Sequence, residues 1–428
     1  MCSSDLGGLY AAYEYAQRRV EQGGAAVEPA YETPAQSPMV SGGPGSMVPF
    51  DTISREGRRF VNMVLTREEI ADVMGEPAVA DPIRVFVGLD TAPEPEDRVD
   101  LVMDELVRTG AFDRSVLCFA SPTGSGYINY VLAEALEFMT RGDCAIATMQ
   151  YSLLPSPMSL TQTRMADDQN RSLMHAITGY LRGMDPDVRP RLVLFGESLG
   201  ALTMADMYAH RTVEAMDRDF VHSSLFLGTP SGTEFAKGWR LNPQKVDPDG
   251  KVVEVDNYGE YLGLPEERRG RVRHVLLSHY DDPIPKFGTN ILLRRPWWLG
   301  PVADRPPRVP KSTNWRPGVT FVLTAVDMVN AMEVIPGVFG RRGHDYREDI
   351  ARFASAAFDL PMTAEQLYRM EKALRECELV WAQKRVVTEQ VARAREALMR
   401  EFKSWGVSSG SPDEVLDQIL GSVSAPPA

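Results

Sequence analysis

Apolar and polar positions follow two periodicities along the chain. Short runs of mostly apolar residues, such as IRVFVGL from residue 83 and RLVLF from residue 191, are typical of strands buried on both faces. Between such runs lie longer stretches with apolar residues at helical spacing, such as DRVDLVMDELVRTGAF from residue 97. Repeated strand and helix units predict an α/β fold with a mostly parallel sheet and helices on both faces. Sheets of this kind bind ligands at the carboxyl ends of their strands.

The segments before and after these alternating strand and helix units have different sequence patterns. Residues 1–57 contain a helical pattern followed by an arm rich in proline and glycine, and residues 58–361 form the expected main domain. Within that domain, the proline-rich segment 286–318 predicts a lid-like insert. Residues 362–428 predict a helical extension, as one long helix or two packed ones, and a disordered tail. We expect the extension to dock against the main domain or to pair with a second copy of the chain.

Composition narrows the classes of function. The formal net charge is −13 over 428 residues, which argues against a nucleic-acid-binding surface. The four cysteines lack the C-x-x-C spacing of a zinc site, and we expect neither a metal nor a cofactor. No apolar run is long enough to span a membrane, so we expect the chain as given to be soluble. Because a helical pattern begins almost at the first residue, we also expect a preceding segment to be missing.

The stretch LVLFGESLGA, residues 192–201, carries the clearest chemical signal. A short strand leads into the pattern G-E-S-L-G, and a helix-forming segment follows it. A nucleophile elbow needs this order, with glycines beside the serine so that the backbone can turn sharply. We therefore predict that Ser198 is a nucleophile, against the alternative of an ordinary strand-to-helix turn.

An activated serine needs a base and an acid, and in this fold class the acid precedes the histidine along the chain. His344 is the candidate base, because it lies in a glycine-preceded loop before an amphipathic helix. Asp281 and Asp282 are the candidate acids at the end of a predicted strand. Asp282 is preferred because the prolines after it end the strand abruptly. The alternative is a turn aspartate that caps its own backbone.

Two further sets of residues are predicted around this centre. The expected oxyanion donors are the backbone N–H groups of Leu199 and of Thr123 and Gly124, in the loop ASPTGSGYI. In the lid-like insert, Trp297 and Trp298 are candidates to bind the substrate. The alternative is that these tryptophans pack the insert onto the domain.

The elbow, SPTGSG, SHYDDPIPKF, NWRPGVTFVLTAVDM and GHDYREDIARF occur together in this chain. Over about residues 55–360 the sequence resembles a bacterial α/β-hydrolase family typical of actinobacteria. The resemblance implies an α/β-hydrolase catalytic domain in which Ser198, Asp282 and His344 take the triad roles. Asp281 stands where members often have a small residue. Members usually carry a multi-span membrane region ahead of the catalytic domain, so the resemblance also implies membrane attachment through a segment before this chain.

These observations predict a serine hydrolase that cleaves a small-molecule or lipid carboxylic ester through an acyl-enzyme on Ser198. Two alternatives remain open. One is an acyltransferase that uses the same triad on envelope lipids, and the other is a non-catalytic α/β-hydrolase scaffold that binds a partner. Reaction of Ser198 with a fluorophosphonate separates the scaffold from the two enzymes.

Overall fold

The computed structural model of the chain describes residues 27–153, 163–331 and 334–404. Its centre is a seven-stranded sheet in the order β1-β3-β2-β4-β5-β7-β6, and each pair of neighbouring strands is parallel. The strands are Ile83–Val87 (β1), Val116–Ser121 (β2), Cys144–Met149 (β3), Arg191–Glu197 (β4), Val221–Leu227 (β5), Val252–Val255 (β6) and His274–Leu277 (β7). All carboxyl ends of these strands therefore lie at one edge of the sheet.

Helices connect and flank the strands. They are Arg55–Asn62 (α1), Arg67–Met74 (α2), Pro95–Arg108 (α3), Tyr130–Met139 (α4), Thr163–Arg182 (α5), Leu199–Asp206 (α6), Glu214–Arg218 (α7), Glu234–Leu241 (α8), Pro243–Val246 (α9), Tyr258–Leu262 (α10), Glu266–Arg271 (α11), Val319–Asn330 (α12), Arg347–Ala357 (α13) and Ala364–Ser404 (α14). Local sequence explains their ends: α2 begins with a capping box of Thr66 and Glu69 and ends at Gly75, whose φ is +71°.

The sheet is covered on both faces. Strands β1, β2 and β3 are buried at every position, as their unbroken apolar runs predict. Helices α3, α5 and α6 pack together as one layer, and α4, α13 and the first part of α14 pack as another. The predicted α/β class, with a mostly parallel sheet between helices and a C-terminal helical extension, is confirmed.

The arm before the domain lies against the edge of the sheet. Val40 forms a parallel bridge with Arg84 of β1, and Tyr31 stacks on Trp381 of α14 at 5.3 Å between ring centroids. Arg84 is fully buried and forms two hydrogen bonds with Glu137, at 2.5 and 2.9 Å. This ion pair fixes α4 to the strand that the arm covers.

The insert and the extension differ in regularity. The segment 286–318 contains three short 3-10 turns, Thr289–Leu292, Trp297–Leu299 and Val302–Asp304, and α12 follows it. Of the two forms expected for the extension, the structure has one long helix, α14. Across the described ranges, no helix combines the length and the apolar character needed to cross a membrane.

Candidate active site

Ser198 occupies a strained turn at the carboxyl edge of the sheet. It follows β4 directly and precedes α6, with φ +55° and ψ −121°. Such a conformation is costly for a residue with a side chain and persists only where its surroundings hold it. Here the Ser198 N–H donates to Leu227 O at 2.9 Å, and the residue is only 4% exposed. The predicted strand, turn and helix are therefore present, and the turn is the strained one that an elbow requires.

The two glycines beside Ser198 are needed for close packing. A Cβ on Gly196 would lie 2.5 Å from Gly200 O, and a Cβ on Gly200 would lie 2.3 Å from Ser121 O on β2. Side chains at either position would push α6 away from the sheet. The small residues of the G-x-S-x-G pattern thus allow the turn to sit directly against β2.

Asp282 and His344 form a buried pair at the same edge. Asp282 lies in the loop after β7, and its Oδ2 is 2.8 Å from Nδ1 of His344. The Tyr346 hydroxyl donates to the same Oδ2 at 2.5 Å, and the Ile284 N–H donates to Oδ1 at 2.8 Å. The carboxylate therefore has a donor on each oxygen and orients the imidazole through Nδ1.

The neighbouring carboxylate, Asp281, bonds the loop before His344 and not the His344 imidazole. Asp281 Oδ1 accepts from Gly343 N–H at 3.0 Å and from Arg308 Nη1 at 3.1 Å. Because Gly343 directly precedes His344, Asp281 holds the loop that carries the histidine. Of the two aspartates left open by the sequence, the structure brings Asp282 to the imidazole.

A glycine that sequence reasoning missed separates Ser198 from this pair. Gly228 follows Leu227 at the end of β5 and has φ +55°. A Cβ on it would lie 2.5 Å from Cε1 of His344 and 3.0 Å from Oδ2 of Asp282. The histidine therefore packs directly against the backbone that bonds the Ser198 N–H. Within the described residues, Ser198 Oγ makes no hydrogen bond to His344; such bonds are often long before substrate binds.

Electrostatics favour a protonatable histidine here. Burial lowers the pKa of His344, but the carboxylates of Asp282 and Glu197 raise it by more, so the pKa of His344 lies above its ordinary value. Burial also raises the pKa of Glu197, opposed by His344 and by the 2.9 Å bond from Asn129 Nδ2. The imidazolium that a general base becomes is thus stabilised in place.

One predicted oxyanion donor does not fit the geometry. The Thr123 N–H already donates to Tyr127 O at 3.0 Å, which closes the turn after β2 and removes it as a donor to substrate. Leu199 N–H lies in the first turn of α6, where backbone donors have no partner inside the helix. Gly124 N–H makes no backbone hydrogen bond to the described residues. Leu199 and Gly124 therefore remain the candidate donors.

A second buried histidine, His279, contacts both the loop that carries Asp282 and the loop that carries His344. The ring nitrogens of His279 lie 3.0 Å from Gly343 O and 3.2 Å from Asp349 Oδ2, and its ring stacks on Tyr346. Both partners are hydrogen-bond acceptors, and together they fix the orientation of the ring. His279 O also accepts from Asp282 N–H at 3.0 Å. Sequence reasoning set this histidine aside because it precedes the acid, although its place two residues before the aspartate pair was a signal.

The two predicted substrate-binding tryptophans have different surroundings. Trp298 is buried, and its indole N–H donates to Lys286 O at 3.3 Å, so it packs the insert together. Trp297 is 69% exposed and lines a cavity of about 830 Å³ together with Ile291 and His279. Neither Ser198 nor the Asp282–His344 pair lines that cavity.

Comparison with known proteins places the chain in a family. Residues 83–370, well over half of the chain, match the model of an alpha/beta-hydrolase family. No curated protein matches the sequence. In the part of the chain that the structure describes, no group of histidine, cysteine and acidic residues could hold a metal ion. The parallel sheet and the strand, turn and helix around Ser198 are consistent with this match. The chain therefore belongs to the α/β-hydrolase family, and this membership indicates hydrolysis as its class of activity.

Proposed function

We propose that the protein is a serine hydrolase that cleaves a carboxylic ester through an acyl-enzyme on Ser198. One observation carries the proposal: a strained serine at the end of β4 and a buried His344–Asp282 pair pack against the same backbone at the end of β5. A serine, a histidine and a carboxylate at one sheet edge are the set that acyl transfer requires. Membership in the α/β-hydrolase family supports hydrolysis as the reaction class.

The residues take distinct parts in the reaction. His344 Nε2 accepts the proton of Ser198 as its Oγ attacks the ester carbonyl, and Asp282 stabilises the imidazolium through Nδ1. The tetrahedral oxyanion accepts hydrogen bonds from Leu199 and Gly124 N–H. His344 then returns the proton to the leaving alcohol, and the acyl group remains on Ser198. A water molecule, deprotonated by His344, attacks the acyl-enzyme and releases the acid.

The surroundings of the serine favour an apolar acyl group. Leu199, the residue after Ser198, belongs to a buried apolar cluster with Tyr151 and Ala166, and Leu202 packs against it. An apolar wall beside the nucleophile excludes water and stabilises a hydrocarbon chain more than a charged one. We therefore propose esters of apolar acids as the substrate class.

The test is labelling with a fluorophosphonate, with the modified residue located by mass spectrometry. Wild type is compared with Ser198→Ala and His344→Ala, and with Ser115→Ala as the control. Ser115 is an exposed serine at the opposite edge of the sheet, before β2. We expect label on Ser198 in wild type and in the control, none in Ser198→Ala, and strongly reduced labelling in His344→Ala.

A series of p-nitrophenyl esters of increasing acyl length follows on the wild type. Hydrolysis that requires Ser198 and increases with acyl length supports the proposed class. A folded protein that neither reacts with the probe nor cleaves any ester would refute the proposal and favour a scaffold. Transfer of the acyl group from the p-nitrophenyl ester to an added alcohol, with p-nitrophenol released but no free acid, would favour the acyltransferase.

A further inference from the structure

Helix α12 buries two polar side chains, although Phe321 of the same helix packs on Phe287. Thr320 and Thr324, four residues apart, are buried, at 7% and 5% exposure. Their hydroxyls are satisfied locally: Thr320 Oγ1 accepts from Arg316 N–H at 2.8 Å, and Thr324 Oγ1 donates to Thr320 O at 2.8 Å. A surface helix of a globular protein normally buries its apolar side chains instead.

The opposite side of α12 is an apolar stripe open to solvent. Val319, Val322, Leu323 and Val326 are between 50% and 59% exposed. Their spacing of three and four residues places them on one face of the helix. A continuous aliphatic stripe in water is costly and marks a surface that another apolar phase covers.

The stripe continues into the insert. Gly318 N–H donates to Leu292 O at 3.2 Å, so the exposed side chains of Leu292 and Leu293 lie beside the start of α12. Leu293 is 77% exposed. Trp297, in the next turn of the insert, is 69% exposed. We call the segment 286–318 together with α12 the insert surface.

The charge of the insert opposes that of the chain. The whole chain carries −13, yet residues 286–318 contain seven basic side chains and one acidic side chain, Asp304. Five of these cations are exposed: Arg308, which pairs with Asp256 and Asp281, and the four residues Arg294, Arg295, Lys311 and Arg316. Among the described residues, none of the four pairs with a carboxylate. The insert surface is thus cationic and apolar at once.

We propose that the insert surface docks on an anionic lipid membrane. Aliphatic side chains and a tryptophan suit the boundary between headgroups and acyl chains, and arginine and lysine suit anionic headgroups. Charge complementarity favours this occupant over a second copy of the chain, which is acidic. A nucleic acid would use the cations but not the aliphatic stripe.

The insert surface is joined directly to the candidate active site. Lys286, the first residue of the insert, donates to Asp282 O at 2.9 Å, and the chain leads from α12 toward His344. Docking therefore holds the acid loop close to the lipid surface. If the proposed function holds, the ester substrate comes from that membrane; the docking itself does not depend on catalysis.

The test measures vesicle binding of the full chain carrying Ser198→Ala, so that hydrolysis plays no part. Phosphatidylcholine vesicles with and without phosphatidylglycerol are sedimented with the protein at low and high salt. Two double variants alter the surface: Arg294→Glu with Arg316→Glu, and Leu323→Ser with Val326→Ser. Circular dichroism and thermal melting confirm that each variant is folded.

Matched controls change the same residue types at the amino edge of the sheet. Arg218→Glu with Arg271→Glu reverses two exposed cations before β5 and β7. Val107→Ser with Val188→Ser changes two exposed aliphatic side chains, before β2 and β4, which are 51% and 63% exposed. Any effect of net charge or of general surface polarity appears equally in these controls.

We expect binding to phosphatidylglycerol vesicles that weakens with salt. The arginine reversals should weaken it by at least about twentyfold, since each cation near such a surface contributes about fivefold. The Leu323 and Val326 substitutions should also weaken it, and the controls should not. The proposal is overturned if the protein does not bind phosphatidylglycerol vesicles, or if the control variants and the insert variants bind them equally. It is also overturned if the insert surface mediates only self-association.

Discussion

Gly228→Ala should remove activity without unfolding the protein. The new methyl group would start 2.5 Å from Cε1 and 2.8 Å from Nδ1 of His344. Contacts between non-bonded carbons are favourable only near about 3.5–4.0 Å, so the ring must retreat by roughly 1 Å. A displacement of that size costs about 10²-fold in rate when it moves a catalytic group. We therefore expect kcat/KM for a p-nitrophenyl ester to fall by about 10²- to 10³-fold.

The control for this substitution is Gly45→Ala. Gly45 also has positive φ, +78°, but a Cβ there meets nothing within 4 Å. Both variants should lose about 1–2 kcal/mol of unfolding free energy from the left-handed backbone, measured by urea denaturation. Only Gly228→Ala should lose ester hydrolysis and fluorophosphonate labelling. If Gly228→Ala keeps the activity of Gly45→Ala, the placement of His344 against the end of β5 is wrong.

Buried carboxyl groups give three more expected outcomes. Glu197→Gln removes negative charge that raises the pKa of His344; since only neutral imidazole accepts a proton, the acid limb of kcat/KM against pH should move to lower pH. Burial raises the pKa of Glu134 well above its ordinary value, and neither oxygen has a partner among the described residues, so stability falls as pH rises above about 4.3. Glu134→Gln should therefore increase the unfolding free energy by about 1–3 kcal/mol, more near about pH 8 than near about pH 5. Glu378→Gln weakens a 2.5 Å bond to buried Arg347 and should decrease the unfolding free energy by about 1.5–3 kcal/mol.

Each of these outcomes has a result that contradicts it. An acid limb that stays in place in Glu197→Gln would mean that this carboxyl does not act on His344. For Glu134, the control is Glu68→Gln, an exposed position on α2, and equal gains in both variants would refute the burial argument. For Glu378, unchanged urea denaturation would show that the pairing with Arg347 contributes nothing to stability.

The fold was predictable because its signals are local. Strands buried on both faces give unbroken apolar runs, and β2, VLCFAS, and β3, CAIATM, are buried throughout. Chain order does not give the sheet order, in which β6 lies at the edge outside β7. The arm was also harder to place, because the bridge of Val40 to Arg84 joins segments distant in sequence. The arm is buried only where it covers an edge strand, and the sequence does not show that β1 is at the edge of the sheet.

The three candidate residues that the structure brings to one edge of the sheet could be named from local sequence in the same way. Ser198, Asp282 and His344 carry local markers: flanking glycines, prolines that stop a strand, and a glycine before a loop histidine. The role of Gly228 follows only from the approach of the His344 loop in three dimensions. The Thr123 N–H donates to Tyr127 O and so closes a turn. This hydrogen bond could not be predicted from the sequence.

Adjacent residues in an irregular segment show the same limit. Trp297 and Trp298 share one 3-10 turn, yet one is exposed and the other is buried beneath the insert. In a strand or helix, periodicity assigns neighbouring side chains to faces. A proline-rich insert has no such periodicity. Composition therefore suggested the same role for both tryptophans, and only the packing in the structure distinguishes the exposed one from the buried one.

The helical extension is coupled to the loop that carries His344. Arg347 is buried at the start of α13 and bonds both Asp345, at 2.9 Å, and Glu378 on α14, at 2.5 Å. Glu378 also accepts from the Tyr130 hydroxyl and from Gly337 N–H. The family match ends at residue 370, before Glu378. Because a buried guanidinium needs its carboxylates, Glu378 of the extension stabilises the candidate active site from outside the matched region. Sequence variation in α14 can therefore alter the loop that carries His344 without changing Ser198, Asp282 or His344.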